Sequence, residues 1–416
     1  GGAFGVAAFL FNGGLAGFAV LATWQAGDFQ QDLTWKNLFL SMFVTQRGLL
    51  AALPAGLLLL TAWREAHFRS GRRILPDWLQ VLLYAGMPLF NIHAFLFLSF
   101  ILAAIFLVRA PARRPLLALV AVAFVPATLG MLAVTNCFSA GSGIRWIPNW
   151  IAGETDWLAA FGSWCPPFLA GTALPWIWNF GFALPLAVAA AVVAIRNQDA
   201  EARCFVAAAL VVFAACSVVA FAPWPWDNMK LMIWSWIVLA PYLWSLVLSR
   251  LELAARTALC FALFFSGAVS LAGGLDARHG YAIGQRSELD AWRTATAEIS
   301  PESRFACVPD YNHPLILLGR RVACGYEGHL WSHGLDFREK LSLLRLTLAG
   351  RSNWRKSART LDIEWLALRT KDAANCPPPG DPPPPGARGA LYDLRPLLTQ
   401  SPTNPEHPRL PQRSVD

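Results

Sequence analysis

The chain has 416 residues, of which 56% are hydrophobic and only 14% charged, with a formal net charge of +8. An ordinary soluble domain carries about a quarter charged residues, so this composition excludes a wholly soluble protein. The basic excess sits in short loops between apolar runs, which is the positive-inside pattern of membrane proteins and not a phosphate-binding stripe, so no nucleic-acid partner is expected.

The chain opens at Gly1-Gly2 already inside an apolar segment, without an initiator Met or a charged n-region. The expectation is that an N-terminal piece is missing, and the segment lacks the pattern of a signal peptide. Apolar runs of membrane-crossing length then follow one another: Gly1–Thr23, Gly48–Ala62, Leu75–Leu89, Phe90–Val108, Leu116–Val134, Ala173–Ile195, Cys204–Ala222, Leu231–Leu248 and Thr257–Leu275. Four intervening loops are rich in arginine: Arg64, Arg69, Arg72 and Arg73; Arg109, Arg113 and Arg114; Arg196 and Arg203; Arg250 and Arg256. Nine crossings put all four on one side, and the arginine bias makes that side cytoplasmic. Everything after Leu275 is then outside. In one outer loop, apolar residues from Trp150 to Trp164 recur at helical spacing and predict an amphipathic interfacial helix.

After Leu275 the texture changes. Ser287 and Asp290 predict the start of a helix running to Ile299, and Asp336 with Glu339 predicts a capped helix over Phe337–Ala349 that stops at Gly350. Arg304–Val308, Arg321–Cys324 and Ile363–Leu368 read as strands, so strands and helices alternate as in an α/β unit. The fold expected is a polytopic α-helical membrane bundle of about nine helices over 1–275. A small extracytoplasmic α/β domain follows over 276–398, then a disordered tail over 399–416. A bacterial inner (plasma) membrane is the expected location. Cys204, Cys216 and Cys260 fall inside spans as small hydrophobes, whereas Cys137 with Cys165 and Cys307 with Cys324 are placed where disulfides are permitted.

Polar residues near membrane depth are costly and tend to be functional. Gln46-Arg47-Gly48 stands at the mouth of the second span, Asn91 and His93 join the third and fourth, and Asp227-Asn228-Met229-Lys230 opens the eighth. Asp28 and Asp32 occupy the first outer loop. Gathered by one bundle, these loops would form an outward-facing pocket in which Arg47 and Lys230 suit an anionic lipid phosphate. Gln46, Asn91, His93 and Asn228 would line it, with His333 added from the outer domain. Asp227, Asp28 or Asp32 suits a general base or a ligand of a divalent cation. The plainer reading of Asp227 and Lys230 is a helix cap and a local ion pair. His329 and His333, with His313 or Cys324, have only weak zinc-site spacing.

Leu10-Phe11-Asn12-Gly13-Gly14-Leu15, Thr45–Gly48, Gly86–His93, Trp226–Lys230, Gly319–Arg321 and Gly325–Trp331 together resemble bacterial membrane proteins related to the GT-C glycosyltransferase superfamily. The resemblance implies transfer of a sugar from a polyprenyl-phosphate donor to an acceptor on the outer side of the membrane. It also implies an acidic residue in the first outer loop as base or metal ligand. A loop upstream of Gly1, or Asp28 and Asp32, are the places open for it. Two other functions compete: a transporter or flippase for a lipid or small solute, and a non-catalytic assembly protein with a partner-binding outer domain. Against transport, only one candidate helix break is visible in the sequence, at Pro88–His93, with no matching partner.

Overall fold

The computed structural model describes residues 1–25, 27–30, 33–153, 173–276, 282–350, 353–373, 375–376, 389–399 and 412–415. The chain divides into two compact units, Gly1–Leu132 with Ser142–Gly280, and Ala133–Gly141 with Tyr281–Asp416.

The first unit is a helical membrane bundle. Among the described residues, five helices are long and apolar enough to cross a membrane: Arg47–Phe68, Ala110–Val134, Ala200–Val218, Pro225–Arg250 and Leu253–Gly274. A sixth candidate is a pair, Leu174–Phe180 with Ala183–Arg196, bent by 88°. In chain order the helices used below are α1 (Gly2–Leu10), α2 (Arg47–Phe68), α3 (Asp77–Phe90), α4 (Ile92–Val108) and α5 (Arg113–Val134). They continue with α6 (Ala173–Phe180), α7 (Ala183–Arg196), α8 (Ala200–Val218), α9 (Met229–Tyr242) and α10 (Leu253–Gly274).

Burial ranks these helices by position. The span that contains α9 is 72% buried over its apolar window, against 11% for the span that contains α5. The former is therefore axial, and the latter presents most of its surface outward. Lipid tails are as apolar as leucine, so packing and polar contacts must hold the helices together. Gly56 lets α2 approach α9 closely, since a Cβ there would stand 2.4 Å from the Trp234 ring. Trp63 Nε1 donates to Gln80 Oε1 at 3.1 Å, and Trp236 Nε1 donates to the Ala8 carbonyl at 2.8 Å.

Side-chain caps fix two helix starts. Asn91 Oδ1 accepts from the Ala94 amide at 2.9 Å to open α4, and Asp199 Oδ1 accepts from Ala202 at 3.1 Å to open α8. The α3–α4 turn falls where Pro88–His93 predicts it. However, α3 has only 14 residues, about 21 Å at 1.5 Å per residue, too short to span the hydrocarbon core alone.

The first predicted span differs most. Gly1–Thr23 is not one helix: α1 ends at Leu10, the chain is irregular through Leu15, and only a 3₁₀ turn (Ala16–Ala19) and a short helix (Val20–Thr23) follow. The glycines explain the break, because the backbone there is packed against other backbone. A Cβ on Gly14 would stand 2.1 Å from the Trp178 carbonyl, and one on Gly267 of α10 would stand 2.1 Å from that of Phe11. Of the predicted interfacial helix only Trp150–Gly153 is helical among the described residues, and its remainder lies outside them.

The second unit is an α/β sandwich around a five-stranded mixed sheet of order β4-β3-β5-β6-β7. Its strands are β3 (Arg304–Ala306), β4 (Arg321–Val322), β5 (Trp365–Arg369), β6 (Gly389–Asp393) and β7 (Gln412–Val415), numbered after the short antiparallel pair β1 (Arg145–Trp146) and β2 (Val219–Ala220) of the bundle. β3 is parallel to both β4 and β5, while β6 and β7 are antiparallel additions. Alternation separates two cores. Phe305, Trp365 and Ala367 face one side with Trp292 of α11 (Arg286–Thr296), whereas Ala306, Leu366 and Leu368 face the other with Leu341 and Leu344 of α12 (Arg338–Leu348).

The three predicted strands and two predicted helices are present, with two corrections. Neither helix has a side-chain N-cap: α11 is preceded by Gln285 and α12 by Phe337. Residues 412–415, expected within a disordered tail, form β7, because edge pairing with β6 supplies backbone partners that polar composition does not reveal. Cys307 and Cys324 are free buried thiols, not a disulfide, and burial pushes the Cys307 thiol up to about 12. Cys137 is also free, while Cys165 lies outside the described residues.

Candidate functional site

Antiparallel packing gives the bundle two chemically distinct ends. At the first, Glu201 at the start of α8 is 4% exposed and meets Arg64 Nε at 2.6 Å, the Arg69 guanidinium, and the Tyr242 hydroxyl at 3.1 Å. Arg109 Nε donates to the His67 carbonyl at 3.0 Å beside it. A buried carboxylate with three donors is fully matched. This is the arginine-rich end, and its buried anchor, Glu201, was not singled out from the sequence.

At the second end the N-terminus of α2 packs on the C-terminus of α3, with a Gly48 Cβ position only 1.9 Å from the Phe90 carbonyl. The turn before α9 sits here as well. Asn228 Nδ2 donates to the carbonyls of Cys216 (2.8 Å) and Val219 (2.7 Å), and its Oδ1 accepts from the Phe221 amide at 3.0 Å. Its amide is thus fully used on backbone, so Asn228 positions the turn and has no group left for a substrate. That correction follows from burial: Asn228 is 0% exposed.

The turn it holds presents the candidate chemistry. Asp227 Oδ1 and Lys230 Nζ form an ion pair at 2.8 Å. Neither the 3₁₀ turn nor α9 has a side-chain cap, so the pair is local but not a helix cap. The buried His93 ring of α4 lies within electrostatic reach of both partners. Lys36 completes the group, its ammonium 5.9 Å above the Trp226 ring. The indole Nε1 of Trp226 is buried without a hydrogen-bond partner among the described residues, an arrangement that costs free energy unless something supplies an acceptor.

The remaining predicted residues fall elsewhere. Arg47 is exposed and makes no ion pair among the described residues; Gln46 precedes α2 without capping it. Asn91 is used as the α4 cap. Asp28 is half-buried, accepts from the Gln30 amide at 3.1 Å, and makes no hydrogen bond or ion pair to the Asp227 turn. Asp32 lies outside the described residues. His333 is exposed in the α/β unit, and among the described residues no three His, Cys, Asp or Glu side chains are grouped to hold a metal ion.

A second polar region lies at the break after α1. Asn12 donates to the Lys36 carbonyl at 3.0 Å and accepts from the Leu38 amide at 2.5 Å. Asn37 donates to the Leu10 carbonyl at 2.8 Å, and Asn179 accepts from the Trp35 amide at 2.9 Å. Ser266 of α10 accepts from the Gly17 amide at 2.7 Å and from Gln30 Nε2 at 2.9 Å. The Leu15 amide donates to the Trp178 carbonyl at 2.9 Å, so the break after α1 touches the bend between α6 and α7. Irregular backbone inside a membrane bundle requires such internal partners. The Asn-Gly-Gly run within an apolar stretch was the signal for this break.

Neither a protein-family model nor a curated protein matches the chain.

Proposed function

We propose that the bundle is a GT-C-type glycosyltransferase that moves a sugar from a polyprenyl-phosphate-linked donor to an acceptor hydroxyl on the extracytoplasmic side. In this reading the chain crosses a bacterial inner membrane nine times, the arginine-rich end is cytoplasmic, and the α/β unit is outside. The observation that carries the proposal is the Trp226 N–H, which has no partner among the described residues, beside Lys36 and next to the Asp227–Lys230 pair and His93. An anionic phosphate oxygen would accept from the indole and be neutralised by Lys36 and Lys230. Asp227 would take the proton of the acceptor hydroxyl as its oxygen bonds to the anomeric carbon. The bond from that carbon to the phosphate oxygen breaks, its electron pair leaving with the polyprenyl phosphate, whose charge the two lysines stabilise.

The test is transfer from a polyprenyl-phosphate-linked sugar by protein reconstituted in liposomes. Lys36→Ala should raise the KM for the lipid donor, and Asp227→Asn should lower kcat with insertion unchanged. Wild-type kinetics in both would remove this site.

A transporter is the second reading, favoured by one observation. The α1 break and the α6–α7 bend meet, and paired discontinuous helices are where transporters bind substrate. Movement of labelled lipid across the liposome membrane without covalent product would support it over transfer.

A further inference from the structure

We infer that the α/β unit binds a neutral saccharide in a crevice at the carboxyl ends of β3 and β5. The topology locates the crevice. From β3 the chain leaves through Pro314–Leu317 to β4 on one side, then returns through α12 to β5 on the other side of β3. The loops after β3 and β5 therefore diverge, and open α/β sheets bind ligands where that divergence leaves a gap. A cavity of about 360 Å³ lies there, lined by Gln285, Glu288, Asn312, Arg369, Thr370 and Lys371 among others, within the size range of small-molecule sites.

The floor is rigid. Arg369 is 4% exposed and is fixed by Asp372 through Nε (2.7 Å) and Nη2 (3.1 Å), and by Asp310 through Nη1 (2.9 Å). Its charge is thereby matched inside the protein, so it is not an anion trap. Three wall residues are unspent: Gln285, Glu288 and Asn312 make no side-chain hydrogen bond to the described residues, and Lys371 has among them only a 3.9 Å contact with Asp310. Two amides, a carboxylate and an ammonium offer donors and acceptors together with nearly balanced charge. Hydroxyl groups, which both donate and accept, use such a set fully. A phosphate would meet the Glu288 carboxylate, and a cation would meet the Lys371 ammonium.

The inference goes beyond sugar transfer by the bundle and stands without it. Saturation-transfer difference NMR on the full chain in lipid nanodiscs tests it, with free D-glucose, D-mannose, D-galactose and N-acetyl-D-glucosamine as probes and inorganic phosphate for comparison. At least one sugar should bind in preference to phosphate. Asn312→Leu and Gln285→Leu should each weaken it about fivefold, the net loss of one hydrogen bond. Asp227→Asn should leave binding unchanged, which separates this site from the transfer site. Absence of signal from all four sugars, stronger binding of phosphate, or equal binding by the Asn312 and Gln285 variants would overturn the inference.

Discussion

The two ends of the membrane bundle contain similar residue types and use them in opposite ways. At the arginine end one buried carboxylate, Glu201, has three donors in Arg64, Arg69 and Tyr242, and the charge is closed off. At the other end one carboxylate, Asp227, has a single lysine partner among the described residues, while Lys36, His93 and an indole N–H stand near it with capacity left over there. A saturated node anchors helices; an unsaturated one invites a ligand. The difference lies in the ratio of donors to acceptors and not in the number of charges.

That contrast breaks most visibly if the closed node is opened. Arg64→Ala with Arg69→Ala leaves Glu201 buried without a counter-charge and should destabilise the protein by about 3–5 kcal/mol, read as a lowered unfolding midpoint in detergent. Transfer activity per folded molecule should persist. Asp227→Asn should do the reverse, lowering kcat by about 10²–10⁴-fold, the usual contribution of a general base, with a stability change of about 1 kcal/mol or less. Asn228→Ala sharpens the boundary between the two behaviours. It strands three backbone partners and should cost about 1–3 kcal/mol, with activity falling only as the folded fraction falls. A substrate-binding Asn228 would instead raise KM in protein of normal stability.

The α/β unit supplies a smaller, pH-dependent effect. Burial pushes the His313 pKa down to about 3, reinforced by the nearby Arg369 guanidinium. With the folded value below the unfolded one, the unfolded chain binds more protons between about 6.5 and 3, so stability rises with pH there. The contribution is fully present above about 6.5 and is lost progressively as pH falls. His313 also caps a short helix, its Nδ1 accepting from the Leu315 amide at 3.2 Å. His313→Asn keeps an acceptor without the titration and should flatten the unfolding profile of this unit between about pH 6.5 and 4.5. An unchanged slope would assign the acid sensitivity to other groups.

Much of this architecture was legible because membrane insertion acts on composition. Apolar runs and arginine-rich turns mark the helices directly, and alternation in Phe305–Ala306 and Trp365–Leu368 marks two inner strands. What escaped depends on tertiary partners. The break at Asn12-Gly13-Gly14 hides inside an apolar run whose average still reads as a span. Glu201 sits among arginines and reads as a solvated loop charge until packing buries it. Lys36 counts only as a stray outer cation until Trp226 is brought under it. Asn228, next to Asp227, reads as a ligand-binding group, although three backbone bonds consume it.

In the proposed topology the closed and open ends of the bundle face opposite sides of the membrane, with Asp227 outside. Single cysteines at Ile144, beside the Arg145–Pro223 contact at the open end, and at Ser70, beside the Glu201 node, test it in a background in which all eight native cysteines are replaced. A membrane-impermeant maleimide added to intact spheroplasts should label the cysteine at 144 and reach that at 70 only after lysis. Labelling of position 70 in intact spheroplasts, with 144 protected, would contradict the account.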